Sequence, residues 1–268
     1  MKTLKLRGSI LTILLSSMLL FINCEKEEGY DMIEISEDIT VSQKKITDWL
    51  NEVTLAKMPL NINGYYKAND GGHYYVRHIG NKIFWFGEHP SGNWANVFKG
   101  EIDGNKITGY FYDVPKGRIA GSGTLEISVL YSGAILSKTL GNNFGGSVWI
   151  KTTKPANLPE TRPAGFGVRN DINNLTGRWT GNDGGYYYIR QIGNQVLWFG
   201  ERNFTSGQPA WSNIAYGSRF YSQLWLDWVD VPKGGANSSG ILRGSIDGAN
   251  HITKVHSTGG FGGSSWSR

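Results

Sequence analysis

Three charged residues stand inside otherwise aromatic stretches of this chain, and each occurs twice. Arg77, Glu88 and Asp113 return as Arg190, Glu201 and Asp230. Side chains alternate between faces along an extended strand. Tyr75, Arg77 and Ile79 therefore share one face, as do Tyr188, Arg190 and Ile192. Ile83, Trp85 and Gly87 oppose Phe84, Phe86 and Glu88, and Ile107, Gly109, Phe111 and Asp113 share a face. Two chemistries fit these residue types. One is a ligand site in which the charges bond a polar molecule and Trp85 and Trp198 supply a stacking plane. The other is structural, an arginine–carboxylate pair satisfying a barrel end. Trp94 and Trp211, at matched places outside the strands, are the expected external contacts.

Catalysis has less support. His73 and His78 become Tyr186 and Gln191 in the second copy, and His89, His251 and His256 have no counterparts. A Ser-His or metal-histidine centre shared by the copies is therefore excluded. A Glu88–Asp113 pair could in principle hydrolyse a glycosidic bond, which keeps an enzyme as the lesser reading. The Asn69-Asp70-Gly71-Gly72 turn lacks the spaced oxygen ligands of a calcium loop. The residues imply no metal and no cofactor.

The elements that position these groups form an internal duplication. Asn69-Asp70-Gly71-Gly72, Tyr74-Tyr75, Ile79-Gly80-Asn81 and Trp85-Phe86-Gly87-Glu88 recur 113 positions later. A four-residue insertion around residues 204–210 then moves the offset to 117, at which Asp113-Val114-Pro115-Lys116-Gly117 matches Asp230-Val231-Pro232-Lys233-Gly234. A module of about 90 residues, present twice, organises the chain. Module one spans 60–152, a proline- and glycine-rich linker 153–174, and module two 175–268.

Each module holds eight strand-like runs, in copy one near 64–68, 74–79, 82–88, 96–102, 106–114, 123–130, 134–139 and 147–152. Turn sequences such as Gly80-Asn81 and Asp103-Gly104-Asn105 join them, short enough to force antiparallel hairpins. The expected class is all-β, with two tandem eight-stranded up-and-down barrels that leave no exposed edge. A pair of two-layer sandwiches is the alternative. In Asp-Val-Pro-Lys-Gly the proline ends the fifth strand and Lys-Gly makes the turn. Asp113 and Asp230 either cap that turn or face a ligand at the barrel mouth.

Lys2, Lys5 and Arg7 followed by the apolar stretch 10–22 read as a signal peptide over 1–23, too short to span a bilayer comfortably. Cys24 is the one cysteine, so no internal disulfide forms. Residues 24–59 are expected to be a tether followed by a short helix near 42–56, with Ile46, Trp49, Leu50 and Val53 on one stripe. The net charge of +5 includes the three signal cations, leaving about +2 in scattered surface charge, which argues against nucleic acid as a partner.

Two resemblances sharpen this. Leu20-Phe21-Ile22-Asn23-Cys24 resembles the lipobox of bacterial lipoproteins, with Asn23 where a small residue is usual, and Glu25-Lys26-Glu27-Glu28 is similar to the acidic export tags of surface lipoproteins in Bacteroidota-type bacteria. That implies lipidation at Cys24 and a place on the outer membrane of a Gram-negative cell, with a periplasmic or secreted protein as the alternative. Gly177-Arg178-Trp179 at the start of module two and Arg268 at its end resemble the calycins, the lipocalin and avidin-like barrels. There a basic side chain of the last strand covers the first-strand tryptophan and seals the barrel. Module one keeps this less well, with Gly64-Tyr65-Tyr66 and Lys151. The wider pattern, Asn-Asp-Gly-Gly followed by Trp-Phe-Gly-Glu, looks like modules of uncharacterised secreted bacterial proteins. The combined expectation is an exported, lipid-anchored binding protein for carbohydrate or another extracellular polymer. A carrier of a small hydrophobic ligand and a structural envelope protein are the alternatives.

Overall fold

A computed structural model describes residues 60–156, 171–202 and 211–268. Over these residues the chain folds into two closed eight-stranded antiparallel barrels in tandem. The signal sequence, Cys24, the helix expected near 42–56 and the insertion around 204–210 lie outside the described residues.

Barrel one runs β1 (Gly64–Ala68), β2 (His73–Ile79), β3 (Lys82–Glu88), β4 (Ala95–Asp103), β5 (Lys106–Asp113), β6 (Ser122–Leu130), β7 (Ile135–Leu140) and β8 (Val148–Thr152). Barrel two runs β9 (Gly177–Gly181), β10 (Tyr186–Ile192), β11 (Gln195–Arg202), β12 (Trp211–Phe220), β13 (Gln223–Asp230), β14 (Ser239–Ile246), β15 (His251–Ser257) and β16 (Ser265–Ser267). Each strand pairs with its sequence neighbours. The ends close where β1 meets β8 and β9 meets β16. Closure leaves no row of unpaired backbone groups at an edge, which a two-layer sandwich would retain. The sandwich alternative is therefore excluded.

Both lumens are filled. In barrel one Trp85 stacks on Phe98 with ring centroids 4.0 Å apart, and Tyr74 stands edge-on to Trp85 and Trp149, 5.7 Å from each. Barrel two repeats this with Tyr187 edge-on to Trp198 and Trp266. Quadrupolar rings favour such edge-to-face contacts over face-to-face sandwiches, so a few large side chains fill a narrow lumen with specific geometry. One buried indole in each lumen donates to an asparagine of the next strand. Trp85 Nε1 donates to Asn96 Oδ1 at 2.9 Å, and Trp198 Nε1 to Asn213 Oδ1 at 3.1 Å.

One end of each barrel is sealed by the residues that carried the calycin resemblance. The Arg268 guanidinium lies 4.6 Å from the centre of the Trp179 ring, while Trp179 Nε1 donates to the Leu175 carbonyl. Arg268 also donates to the carbonyls of Asp171, Thr176, Asn174 and Ala249. In barrel one Tyr66 takes the tryptophan's place, its hydroxyl donating to the Gly133 carbonyl at 2.6 Å, and Lys151 reaches the Asn61 carbonyl. The opening glycines, Gly64 and Gly177, sit at φ of 138° and 149°, a region that side chains with a Cβ rarely enter.

Alternation accounts for most strands. In β13, Leu224, Leu226, Trp228 and Asp230 turn inward while Gln223, Trp225 and Asp227 are exposed. Strand β3 breaks that pattern, because every residue from Ile83 to Glu88 is buried. A barrel has only one interior, so the outer face of β3 must be covered by something else. It is covered by the other barrel.

Candidate functional sites at the seam and the barrel mouth

The seam is built from the outer faces of the two Trp-Phe-Gly-Glu strands. Phe86 and Phe199 stack face to face, centroids 3.4 Å apart and planes 2° from parallel. Phe84 stacks on Tyr216, and Tyr75 and Tyr188 stack on Phe86 and Phe199 respectively. Lys99 places its ammonium 3.8 Å above the Tyr216 ring. Phe86 aligns with Phe199 and Lys99 with Tyr216 in the repeat, so equivalent positions meet each other. That is the signature of an isologous, two-fold contact, here made within one chain.

At this seam lies a closed ring of four buried charges. Lys116 contacts Glu88 Oε2 at 2.9 Å and also Glu201 Oε1. Lys233 contacts Glu88 Oε1 at 2.8 Å and Glu201 Oε2 at 2.5 Å. Each lysine bridges both glutamates, so the ring is neutral and every charge has two opposite neighbours. Burial draws the Glu88 carboxyl upward, but Lys233 and Lys116 outweigh it and hold the group at about 2. Burial likewise presses Lys233 down, and Glu201 and Glu88 overcome it, raising Lys233 well above its ordinary value. Lys116 is pressed the other way, downward, by its complete burial and by the Lys233 charge. Neutralising it would leave two buried carboxylates facing one cation, so the arrangement with all four charged is the balanced one.

The arginines also belong to the seam. Arg190 donates to the carbonyls of Asp113, Ala120 and Gly121 in barrel one, at 2.9, 2.9 and 2.5 Å. The positive charge of Arg77 in turn acts on Asp230 of barrel two. The anticipated single cluster of arginine, glutamate and aspartate within each module does not form. Arginine and glutamate lie on the outer face, where the glutamates pair with lysines, and aspartate lies on the inner face at the barrel mouth. Glu88 and Asp113 therefore do not face one cleft. Trp85 and Trp198 are 0% and 1% exposed inside the lumens, so neither presents a stacking plane to solvent.

Lys116 and Lys233 are the residues the sequence reading missed, because Lys-Gly after proline reads as an exposed turn. The available signal was the run Ile83-Phe84-Trp85-Phe86, apolar on both faces of a strand. In an antiparallel barrel that implies a covered outer face. The glutamate at its end then needs a buried cation.

The barrel mouths hold the remaining expected residues. Trp94 and Trp211 are half-buried and lie across the Asp-Gly-Gly turns, their rings 5.6 Å from Tyr74 and Tyr187. Asp70 and Asp183 each accept a backbone N–H, from Gly72 and Gly185, and a tyrosine hydroxyl, from Tyr74 and Tyr187. Asp113 Oδ2 accepts the Gly121 N–H at 2.6 Å, and Asp230 Oδ2 the Ser238 N–H at 2.7 Å. Burial nonetheless pushes both carboxyls up to about 6, against these N–H bonds and the arginine charges.

Barrel two opens here into a cavity of about 380 Å³, lined among others by Trp211, Trp228, Asn213, Asp230 and Ser238. Ala236 and Asn237 also line it, where the repeat places Ile119 and Ala120 in barrel one. Comparison with protein-family models, curated proteins and solved structures gives no match to the chain.

Proposed function

We propose that the protein is an exported, lipid-anchored binding protein that recognises carbohydrate at the mouth of its second barrel. The observation that carries this reading is the cavity in which Trp211 and Trp228 meet Asp230 and Asn213. Sugar rings offer apolar faces that stack on aromatic planes, and hydroxyls that bond carboxylates and amides, and this cavity supplies both. The packed lumens weigh against a small hydrophobic ligand carried inside either barrel. The sealed Trp179–Arg268 end is compatible with calycin-like barrels, whose other end is open to ligand. Lipid on Cys24 would hold the mature chain at the outer surface of a Gram-negative cell, anchored to the membrane without crossing it.

A glycan array probed with the mature chain tests the binding reading. Wild type is expected to bind at least one glycan, with Trp211→Ala and Asp230→Asn each weakening binding by tenfold or more while circular dichroism shows both variants folded. No binding by wild type, or equal binding by both variants, overturns it. Anchoring is tested separately. Cys24→Ser should release the protein from membranes, and continued retention rejects lipidation.

A further inference from the structure

A second surface lies where the two barrels meet. On the side of the seam marked by Lys99 and Tyr216, a groove of about 850 Å³ runs over β4, β5 and β6 of barrel one and β11 and β12 of barrel two. Tyr110, 57% exposed, stands on its barrel-one wall, in register opposite Lys99 on the neighbouring strand. Lys99 crosses to Tyr216, and Tyr112 receives a hydrogen bond from Gln195 of barrel two. Tyr216 is held between Phe84 and Lys99, so it offers its edge and hydroxyl, not a free face. Just beyond the groove's lining, on the same outer face, Ser218 is in register with Trp225, which is 50% exposed and has the Arg243 guanidinium 4.9 Å above one face of its ring, leaving the other face to a chain that runs out of the groove.

This surface does not repeat. At the fixed offset Tyr110 aligns with Asp227, Tyr112 with Val229, Thr108 with Trp225 and Lys99 with Tyr216. The residues at the centre of the seam, Tyr75, Phe86, Glu88 and Lys116, are the same in both copies, whereas most of those lining the groove differ. The groove thus takes one set of side chains from each barrel and is complete only in the two-barrel body.

We propose that this groove binds an extended, neutral polysaccharide chain laid across both barrels. Tyr110 and Trp225 would supply stacking faces, and Lys99, Gln195 and the Tyr216 hydroxyl would bond the sugar hydroxyls between them. Size favours a chain over a single sugar, since strands lie about 4.8 Å apart and five of them span on the order of 20 Å. Chemistry favours glycan over peptide. Both sheets are closed, so among the described residues no strand edge is free to add an extended peptide. The exposed Tyr110 ring, the hydroxyls and the bare glycine backbone of the walls suit the flat, hydroxylated faces of sugars, and Glu101 and Glu126 accept hydroxyl protons and disfavour an anionic chain. This proposal stands apart from the mouth cavity and does not need it.

Affinity electrophoresis of the mature chain, in native gels cast with xylan, hydroxyethyl cellulose, mannan or a soluble β-1,3-glucan, tests it. At least one polymer is expected to retard the wild type. Tyr110→Ala and Trp225→Ala are each expected to weaken that retardation by about five- to tenfold, since both rings are half exposed on the outer face of the barrels. Ile150→Ala, a 54% exposed position on β8 outside both the groove and the mouth cavity, is expected to leave it unchanged. Retardation by none of the four polymers overturns the proposal. So does retardation lost in Trp211→Ala but kept in Tyr110→Ala and Trp225→Ala, a result that would favour the mouth alone. Competition by casein peptides, lost in the groove variants while polymers have no effect, would reassign the groove to peptide.

Discussion

Asp113 and Asp230 are carboxylates that burial holds near 6, well above the ordinary 3.8. Between those values the folded chain keeps protons that the unfolded chain has lost. Their contribution therefore favours folding at low pH and is lost as pH rises from about 4 through about 6. Asp230→Asn should remove that penalty and raise stability by about 1–3 kcal/mol at pH 7, with little change at pH 4. Urea unfolding at the two pH values reads this directly, and an equal gain at both would refute the burial argument. Glu88 has the opposite sign. Its carboxyl is held at about 2, so its stabilising contribution is present above the ordinary 4.5 and lost as pH falls toward 2. Removing one member of the buried ring leaves its partners uncompensated, so Lys116→Met should cost about 3–5 kcal/mol. Replacing all four charges by apolar residues of similar volume should cost far less than that single change. If the fourfold variant proves the less stable, the ring itself supplies net stability.

At the scale of elements, the glycine-rich turns make room for tryptophans. A Cβ on Gly185 would lie 2.5 Å from the Trp211 ring, and one on Gly72 would collide with Trp94. Gly185→Ala should displace Trp211, costing about 1–3 kcal/mol and changing tryptophan fluorescence. An unaltered spectrum would show that the ring does not depend on that turn. The strands themselves were legible to within a residue or so. Strand β2 begins at His73 where Tyr74 was expected, and β4 extends to Ala95 and Asp103. Alternating pattern and two-residue turns are local signals, so local reading finds them. Lys116 and Lys233 were not legible, because what buries a turn lysine is a surface 85 residues away in the chain.

The described residues form one body made of two closed barrels. Each has its own packed lumen, and the seam adds a third apolar cluster around Phe86 and Phe199. A charge at its centre should part the barrels without unfolding either one. Wild type is expected to unfold in a single calorimetric transition, and Phe199→Asp in two. A single transition in the variant, at a lower temperature, would mean that the barrels depend on each other to fold. The two-fold contact also explains why residues kept in both copies point to assembly more than to ligand. Any patch that must meet its own copy has to be present twice.

The amino-acid sequence by itself determined the duplication, the all-β class, the eight strands of each barrel and the aromatic seal at one end. The first three follow from internal repetition, short-range periodicity and turn chemistry, and the seal from the resemblance of Gly177-Arg178-Trp179 and Arg268 to the calycins. Only the tertiary structure decided what the charged residues do. Glu88 and Glu201 belong to different barrels, and their shared lysines come from turns that look solvated in sequence. Whether such a charge faces water, ligand or its own image depends on which surface covers it. No local pattern carries that information.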